Sequence, residues 1–325
     1  MSVAASLRRR SRWRVPEVVF WLLAFAALVL PPGKHLLLNE IAILALFALS
    51  LDLILGYAGI ISLGHAAFLG AGAYAAGIFC KLVTPDPLVG MAVAVAVAAV
   101  LGAATSLLVL RGSDLTRLMV TLAVALVLHE AANALPQWTG GADGLQGMVV
   151  GPLFGNFEFD LYGRTAYAYS LTTLFVLFLL ARVIVHSPFG LSLMTIRRNA
   201  LRASALGVPI RSRLIAVYTL SAAYAGAAGA LLAQTTAYVS LEMLEFQRSA
   251  DVLLTLIIGG TGWLYGGIAG AVAFKILQDV LSSSAPQFWM FWMGLFLVAL
   301  ALVGRDRLTL GVRGLLAKVT TRVTR

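Results

Sequence analysis

Ten stretches of this chain are apolar enough to dissolve in lipid, and that repetition constrains the fold more than any single motif. They cover residues 16–31, 36–55, 62–82, 88–110, 115–135, 165–186, 213–234, 249–260, 262–281 and 287–304. A helix needs ~20 apolar residues to cross the hydrocarbon core of a bilayer. Within that core every backbone N–H and C=O must find a partner inside the protein, which leaves helices as the natural spanning element for such runs. Of the 325 residues, 60% are hydrophobic and 12% are charged, whereas soluble domains run to roughly a quarter charged. The pattern predicts an all-α polytopic membrane protein with about ten transmembrane segments.

The formal net charge of +10 would suit a nucleic-acid surface, but the basic residues sit in short clusters between the apolar runs. With the N-terminus in the cytoplasm and the segments alternating, nineteen Lys and Arg fall on the cytoplasmic side and four, Lys34, Lys81, Arg164 and Arg248, fall outside. This is the bias that orients membrane proteins during insertion. It predicts a cytoplasmic basic segment 1–15, a transmembrane domain 16–304 with a cytoplasmic loop 187–213, and a cytoplasmic basic tail 305–325. The basic start mimics a signal peptide, but no small-residue cleavage site follows, so an uncleaved first span is expected. One cysteine, Cys80, allows no internal disulfide, and no metal site is expected.

Two glycine-rich regions interrupt this plan, GYAGIISLGHAAFLGAGAYAAG at 56–77 and IIGGTGWLYGGIAGA at 257–271. Ala66, Gly70, Ala73 and Gly77 recur at helical spacing, as do Ala222, Gly226, Gly229 and Ala233, and Gly262, Gly266 and Gly270. Small faces let helix backbones approach closely in lipid, where little hydrophobic force draws helices together. The third and eighth segments, one glycine-rich and the other short, are expected to be broken or re-entrant. Paired interrupted segments point to a repeat-built transporter with its path near the middle. Candidate path residues are Ser62, Gly64, His65 and Phe68 from the first region and Gly259 and Gly260 from the second. Ionisable groups within spans are functional candidates, although His65 fits a neutral ring on a backbone carbonyl equally well. Among the other polar groups, Lys275 and Asp279 are spaced to pair on one helix. Asp52 and Glu130 are expected near membrane faces. Carboxylates form no ladder across the spans, which disfavours a proton-relay carrier.

The loop SPFGLSLMTIRRNALRASALGVPIRSR, 187–213, opens on a helix-start pair, Ser187–Pro188, and closes on Gly207 and Pro209. Leu193, Ile196, Ala200 and Ser204 predict one apolar helical stripe, with Arg197, Arg198 and Arg202 beside it. Such a helix suits docking to another protein or lying on anionic lipid. The chain has no GxxxxGK[ST] phosphate loop, its HEAAN at 129–133 is not HExxH, and it lacks GxSxG. Hydrolysis of ATP must come from another chain; an ion gradient is the alternative energy source, and a membrane enzyme ranks last.

The string LSLDLILGYAGIISLGHAAFLGAGAYAAGI at 49–78 resembles the signature of LivM-type permeases of branched-chain amino acid ABC importers. The likeness continues through LRG and TLA at 110–123, TGGADGL at 139–145, FGLSLMTIRRNALRASALGVP at 189–209, SAAYAGAAGALLA at 221–233 and 257–271, in family order. The resemblance implies a type II ABC importer permease fold in the bacterial inner membrane. It implies pairing with a LivH-type homologous permease, two cytoplasmic ATP-binding subunits and a periplasmic substrate-binding protein. This chain would bind no cofactor, ATP being used by its partners. It also implies that 187–213 carries the ATPase-coupling helix, with Arg197, Arg198, Asn199, Ala203, Leu206 and Gly207 matching the motif. Relatives often carry Gln near Ile60 and aromatics near Thr116–Leu118, and this chain does not. Permeases resembling it serve urea, short amides or aromatic acids as well as branched-chain amino acids.

Overall fold

Helix boundaries follow local chemistry. Pro87 opens one helix while the Asp86 carboxylate accepts from the N–H of Leu88 at 2.8 Å, and Pro188 opens another under the hydroxyl of Ser187, as expected where the first-turn N–H groups lack backbone partners. The computed structural model describes residues 15–29, 33–160, 162–284, 286–288, 291–296 and 298. The segment 1–14, the tail 305–325 and half of the run 287–304 lie outside the described residues. The helices are α1 (Val15–Ala26), α2 (His35–Asp52), α3 (Ala66–Leu82), α4 (Pro87–Val109), α5 (Asp114–Ala134), α6 (Arg164–Val185), α7 (Pro188–Arg198), α8 (Ala200–Ala205), α9 (Ile210–Thr236), α10 (Phe246–Gly259) and α11 (Leu264–Ser284). Residues through Val272 make one unit, and a second begins at Ala273.

Among the described residues, six helices are long and apolar enough to cross a membrane: His35–Ala58, Pro87–Val109, Asp114–Ala134, Arg164–Val185, Ile210–Thr236 and Leu264–Ser284. Val15–Val29 and Ala66–Leu82 are apolar but shorter, and α10 has 14 residues. Hydrogen bonds sort the helix ends onto two faces. At one, Arg182 meets Glu17 at 2.6 Å, and the N–H of Gly262 donates to Asp52 Oδ1 at 2.7 Å. At the other, Tyr167 donates to the carbonyl of Ala24 at 2.8 Å, Lys81 to that of Gln146 at 2.9 Å, and Gln234 to that of Pro87 at 2.8 Å. The long helices α2 and α4 therefore run in the same direction, with the short α3 returning between them.

The core is built on α9, which lies against α4, α3 and α2. The approach is close because the facing residues are small. A Cβ on Gly226 would strike Ala98, one on Gly72 would strike the backbone of Gly226, and one on Gly229 would strike the carbonyl of Leu69. Larger side chains fill in around them, with Leu46, Leu49, Phe68, Phe178, Leu231 and Leu256 fully buried.

Two interruptions shape the centre. α2 relaxes into a π-helical turn, Leu53–Ala58, and stops at Gly59, whose φ is +76°. Residues 59–65 are then non-helical, and α3 starts at Ala66. The expected third span, 62–82, is thus helical only from residue 66. Irregular backbone at membrane depth needs protein partners, and here it has them. Ile60 N–H donates to Ile54 O at 2.9 Å, Leu63 N–H to Thr121 Oγ1 at 3.2 Å, and Ala66 N–H to Ser249 Oγ at 2.9 Å. The second interruption follows α9. Ala237 takes a left-handed turn (φ 52°), Val239 pairs with Leu145, and a single 3-10 turn, Leu241–Leu244, leads into α10. The sequence pointed to 257–271 as the counterpart of the first break. There, Gly260–Trp263 only turns the chain between α10 and α11. The counterpart is 237–245, a stretch whose charges made it read as an outside loop. Each half therefore runs long helix, irregular stretch, short helix, long helix, and the two irregular stretches enter from opposite faces.

Candidate functional site

The last turn of α7 connects the loop 187–213 to both glycine breaks. The Arg197 guanidinium donates to the carbonyl of Gly56. Its Cγ lies 3.0 Å from where a Cβ on Gly59 would stand, and its Nη1 lies 3.1 Å from the corresponding point at Gly262. Asp52, whose Oδ1 accepts from Gly262, crowds the other side of Gly56, where a Cβ would strike the carboxylate. Glycine is required here because an arginine and a carboxylate close on the backbone from opposite directions. Asp52, expected from sequence near a membrane face, is fully buried and holds the α10–α11 turn.

The loop itself departs from a single stripe. Asn199 is extended (φ −162°, ψ 102°), ending α7, and its side chain accepts from Arg202 N–H at 2.9 Å to start α8. The two short helices present different faces. Leu193 and Ile196 of α7 and Ala203 of α8 are buried, and Arg213 lies 5.3 Å over the ring of Phe189. Leu201 and Leu206, by contrast, are 86% and 71% exposed, with Arg198 exposed beside them and Gly207 at φ +79° ending α8. Ala200 and Ser204, expected on the apolar stripe, are exposed. Leu201 was missed in the sequence, since a lone leucine between arginines and alanines shows no face until the kink at Asn199 is known.

His65 occupies a closed niche. Its ring stacks on Phe47 (centroids 5.4 Å, 13° between planes) and meets Phe68 edge-on. Its Nε2 is 2.8 Å from Ser50 Oγ, which already donates to Phe47 O at 2.6 Å. Ser50 must then accept, so His65 carries its proton on Nε2. Ser62, Gly64 and Phe68 are buried in the same layer, Gly64 so close to α5 that a Cβ would strike the carbonyl of Thr121. Gly259 and Gly260 form a separate contact, against Gly266 and Gly270 of α11. The six candidate path residues thus lie in two groups, joined through Asp52 and Gly262. Of the small faces, Gly70 takes Leu244, Gly77 takes Leu145 and Val239, and Ala66 and Ala73 are fully buried.

No solved structure matches the chain. It is 27% identical over 263 residues to the high-affinity branched-chain amino acid transport system permease protein LivM of Escherichia coli K12, covering 73% of this chain and 60% of that protein. It is 29% identical over 264 residues to the LivM of Salmonella typhimurium LT2, with the same coverage. A probable branched-chain amino acid transport permease protein LivH of Methanocaldococcus jannaschii is 24% identical, covering 74% of this chain and 77% of that protein. The chain spans about three-fifths of the length of the two LivM proteins, 60% in each case. The model of the branched-chain amino acid transport system permease component family matches residues 35–302, and the chain belongs to that family.

Proposed function

We propose that this chain is a transmembrane permease subunit of an ABC importer and forms part of the path for branched-chain and similar hydrophobic amino acids. It works in the bacterial inner membrane with both termini cytoplasmic. Its partners are a LivH-type permease, two cytoplasmic ATP-binding subunits and a periplasmic substrate-binding protein. The chain binds no cofactor of its own, and ATP is spent by its partners. The observation that carries this reading is the division of labour in 187–213: Leu201 and Leu206 stand exposed at α8 while Arg197, itself exposed in part, donates to the carbonyl of Gly56. Two exposed leucines on a short helix suit a cleft in another protein, since a small apolar projection gains by leaving water. Closure of the ATP-binding pair would push α8, and α7 would carry the displacement to the glycine breaks. Packed elements respond to such a push by shifting between discrete arrangements.

The experiment that tests this is co-purification of the chain with its ATP-binding subunits, followed by uptake of labelled L-leucine in proteoliposomes. Ala203→Trp, at a site with no exposure, is expected to cut uptake at least tenfold while the chain still inserts. Uptake at the wild-type rate would remove 187–213 from the coupling role. Orientation has its own check. Cysteine at Asn199 is expected to react with an impermeant maleimide only in inverted vesicles, and cysteine at Asn156 only in right-side-out cells. The reverse pattern would put the loop on the wrong side for any ATP-binding partner.

A further inference from the structure

α4 and α6 flank a seam that neither helix fills. α4 packs on α9 and α3, while α6 packs chiefly on α2. Between them lies a cavity of about 820 Å³. Its walls are Leu88, Met91 and Val95 of α4 and Ala168, Val176 and Leu177 of α6, and the fully buried Ala227 of α9 lines its floor. Thr172 and Val176, also on the lining, are exposed, so the seam opens sideways, toward the place lipid takes in a membrane.

The cavity has the depth of one leaflet. Arg164 and Pro87 begin α6 and α4, and Tyr169 and Gln234 hold those two ends to one level, donating to Gln234 Oε1 at 3.0 Å and to Pro87 O at 2.8 Å. Along α6, Val176 lies ~18 Å below Arg164. Half of a ~30 Å hydrocarbon core is a single leaflet, so the seam runs from the membrane surface to the midplane. Its mouth has the character of an interface. The turn 153–157, closed by Leu153 N–H on Phe157 O at 2.7 Å, adds the exposed rings of Phe154 and Phe157 to the lining. Tyr162, 62% exposed, is a ring of the kind that collects at headgroup level.

Arg164 is the one charged residue on this lining. The acids just before it, Glu158 and Asp160, form no ion pair with it among the described residues; Asp160 accepts from Thr165 N–H at 2.9 Å. Below Arg164 the wall is mostly carbon, and the Thr172 hydroxyl already donates to Ala168 O at 2.7 Å. An unmatched guanidinium over a leaflet-deep apolar slot complements an anionic head on an acyl tail. Tails gain little hydrophobic free energy by leaving other tails. Retention then comes from the arginine fork on a phosphate and from dispersion against a concave wall.

We propose that the α4–α6 seam binds one phospholipid of the leaflet on the Arg164 side, its phosphate on Arg164 and an acyl chain laid along the slot as far as Val176. The lipid fills the space the two helices leave and ties α6 to α4. The inference requires a membrane-spanning chain and stands apart from the importer reading.

The test uses the full chain, with the subunits that co-purify, in nanodiscs doped with phosphatidylglycerol bearing a diazirine on its acyl chain. Expected is photolabelling of 91–95 and 168–177 at least fivefold above that of Val97 and Val100, which are exposed on the same α4. Arg164→Gln should lower the seam labelling at least fivefold, and Arg164→Lys by less. A diazirine diacylglycerol, which has no phosphate, should label the wild-type seam no more than the exposed valines. Equal labelling of seam and exposed valines by phosphatidylglycerol means annular lipid alone and overturns the site. Seam labelling that Arg164→Gln leaves unchanged overturns it as well. Should that variant fail to fold, the two probes decide on wild type: equal seam labelling by both overturns the phosphate contact. A photoreactive amino acid placed at Thr172 that cross-links to a co-purified subunit assigns the seam to protein docking and overturns the lipid site.

Discussion

Replacing Arg197 with alanine is expected to leave the importer assembled and hydrolysing ATP while uptake per ATP falls at least tenfold. Arg197 is the side chain that joins the cytoplasmic loop to both glycine breaks: it donates to Gly56 O and lies over Gly59 and Gly262. A hydrogen bond from a charged group contributes about 1.5–3 kcal/mol, and about 1.4 kcal/mol is a factor of ten in an equilibrium. Its loss frees α7 to move without the breaks. Leu201 and Leu206 are untouched, so docking persists and the stroke is wasted. Arg197→Lys is expected to recover only part of the coupling, because an ammonium cannot spread as a planar fork over two backbone segments. Arg211→Ala, exposed at the start of α9, serves as the control and should transport normally. Tight coupling in Arg197→Ala, measured as leucine taken up against phosphate released, would refute the lever.

Much of this arrangement was legible in the sequence, and the gaps have physical causes. Among the described residues the apolar runs fall largely on helices, because in lipid backbone satisfaction enforces helix whatever the local propensity. Gly226 and Gly229 stand at close approaches of helix backbones, a use that small residues at helical spacing commonly have in a bilayer. What was not legible depended on partners remote in sequence. Residues 59–65 stay extended because Thr121 and Ser249 supply the bonds a helix would have made, and nothing near Gly59 announces either residue. The loop 187–213 read as one helix because its apolar spacing is continuous across Asn199. The Asn side chain instead capped a second helix, a local competition that hydrophobic spacing does not register. The largest displacement was at Glu242–Arg248. Charge there suggested water outside the membrane, whereas the chain carries those groups inward along α3.

The other large effect is expected at Gly229, where α9 crosses α3. A Cβ at this position would strike the carbonyl of Leu69 and come within 2.8 Å of the Ala73 nitrogen. Both are backbone atoms of a buried helix, so no side chain can rotate away and the helices themselves must separate. Overpacking of a tight interior costs typically ~1–3 kcal/mol; a contact made wholly by backbone belongs at the upper end, and Gly229→Leu beyond it. Gly229→Ala should lower the thermal unfolding midpoint of the purified chain in detergent by roughly 5 °C or more, using the scaling for large domains. Gly229→Leu should leave little folded protein. Gly294→Ala is the matched control: the residue is helical, and an added methyl there meets nothing within 4 Å. It should melt within a degree or two of wild type. The functional consequence follows from the same geometry. α3 begins at the break, with Ala66 bonded to Ser249, so forcing α3 off α9 shifts the start of α10 as well. Uptake should therefore fall in Gly229→Ala even at temperatures where the protein remains folded. A variant that melts like wild type and transports like wild type would mean that α9 and α3 do not cross at Gly229.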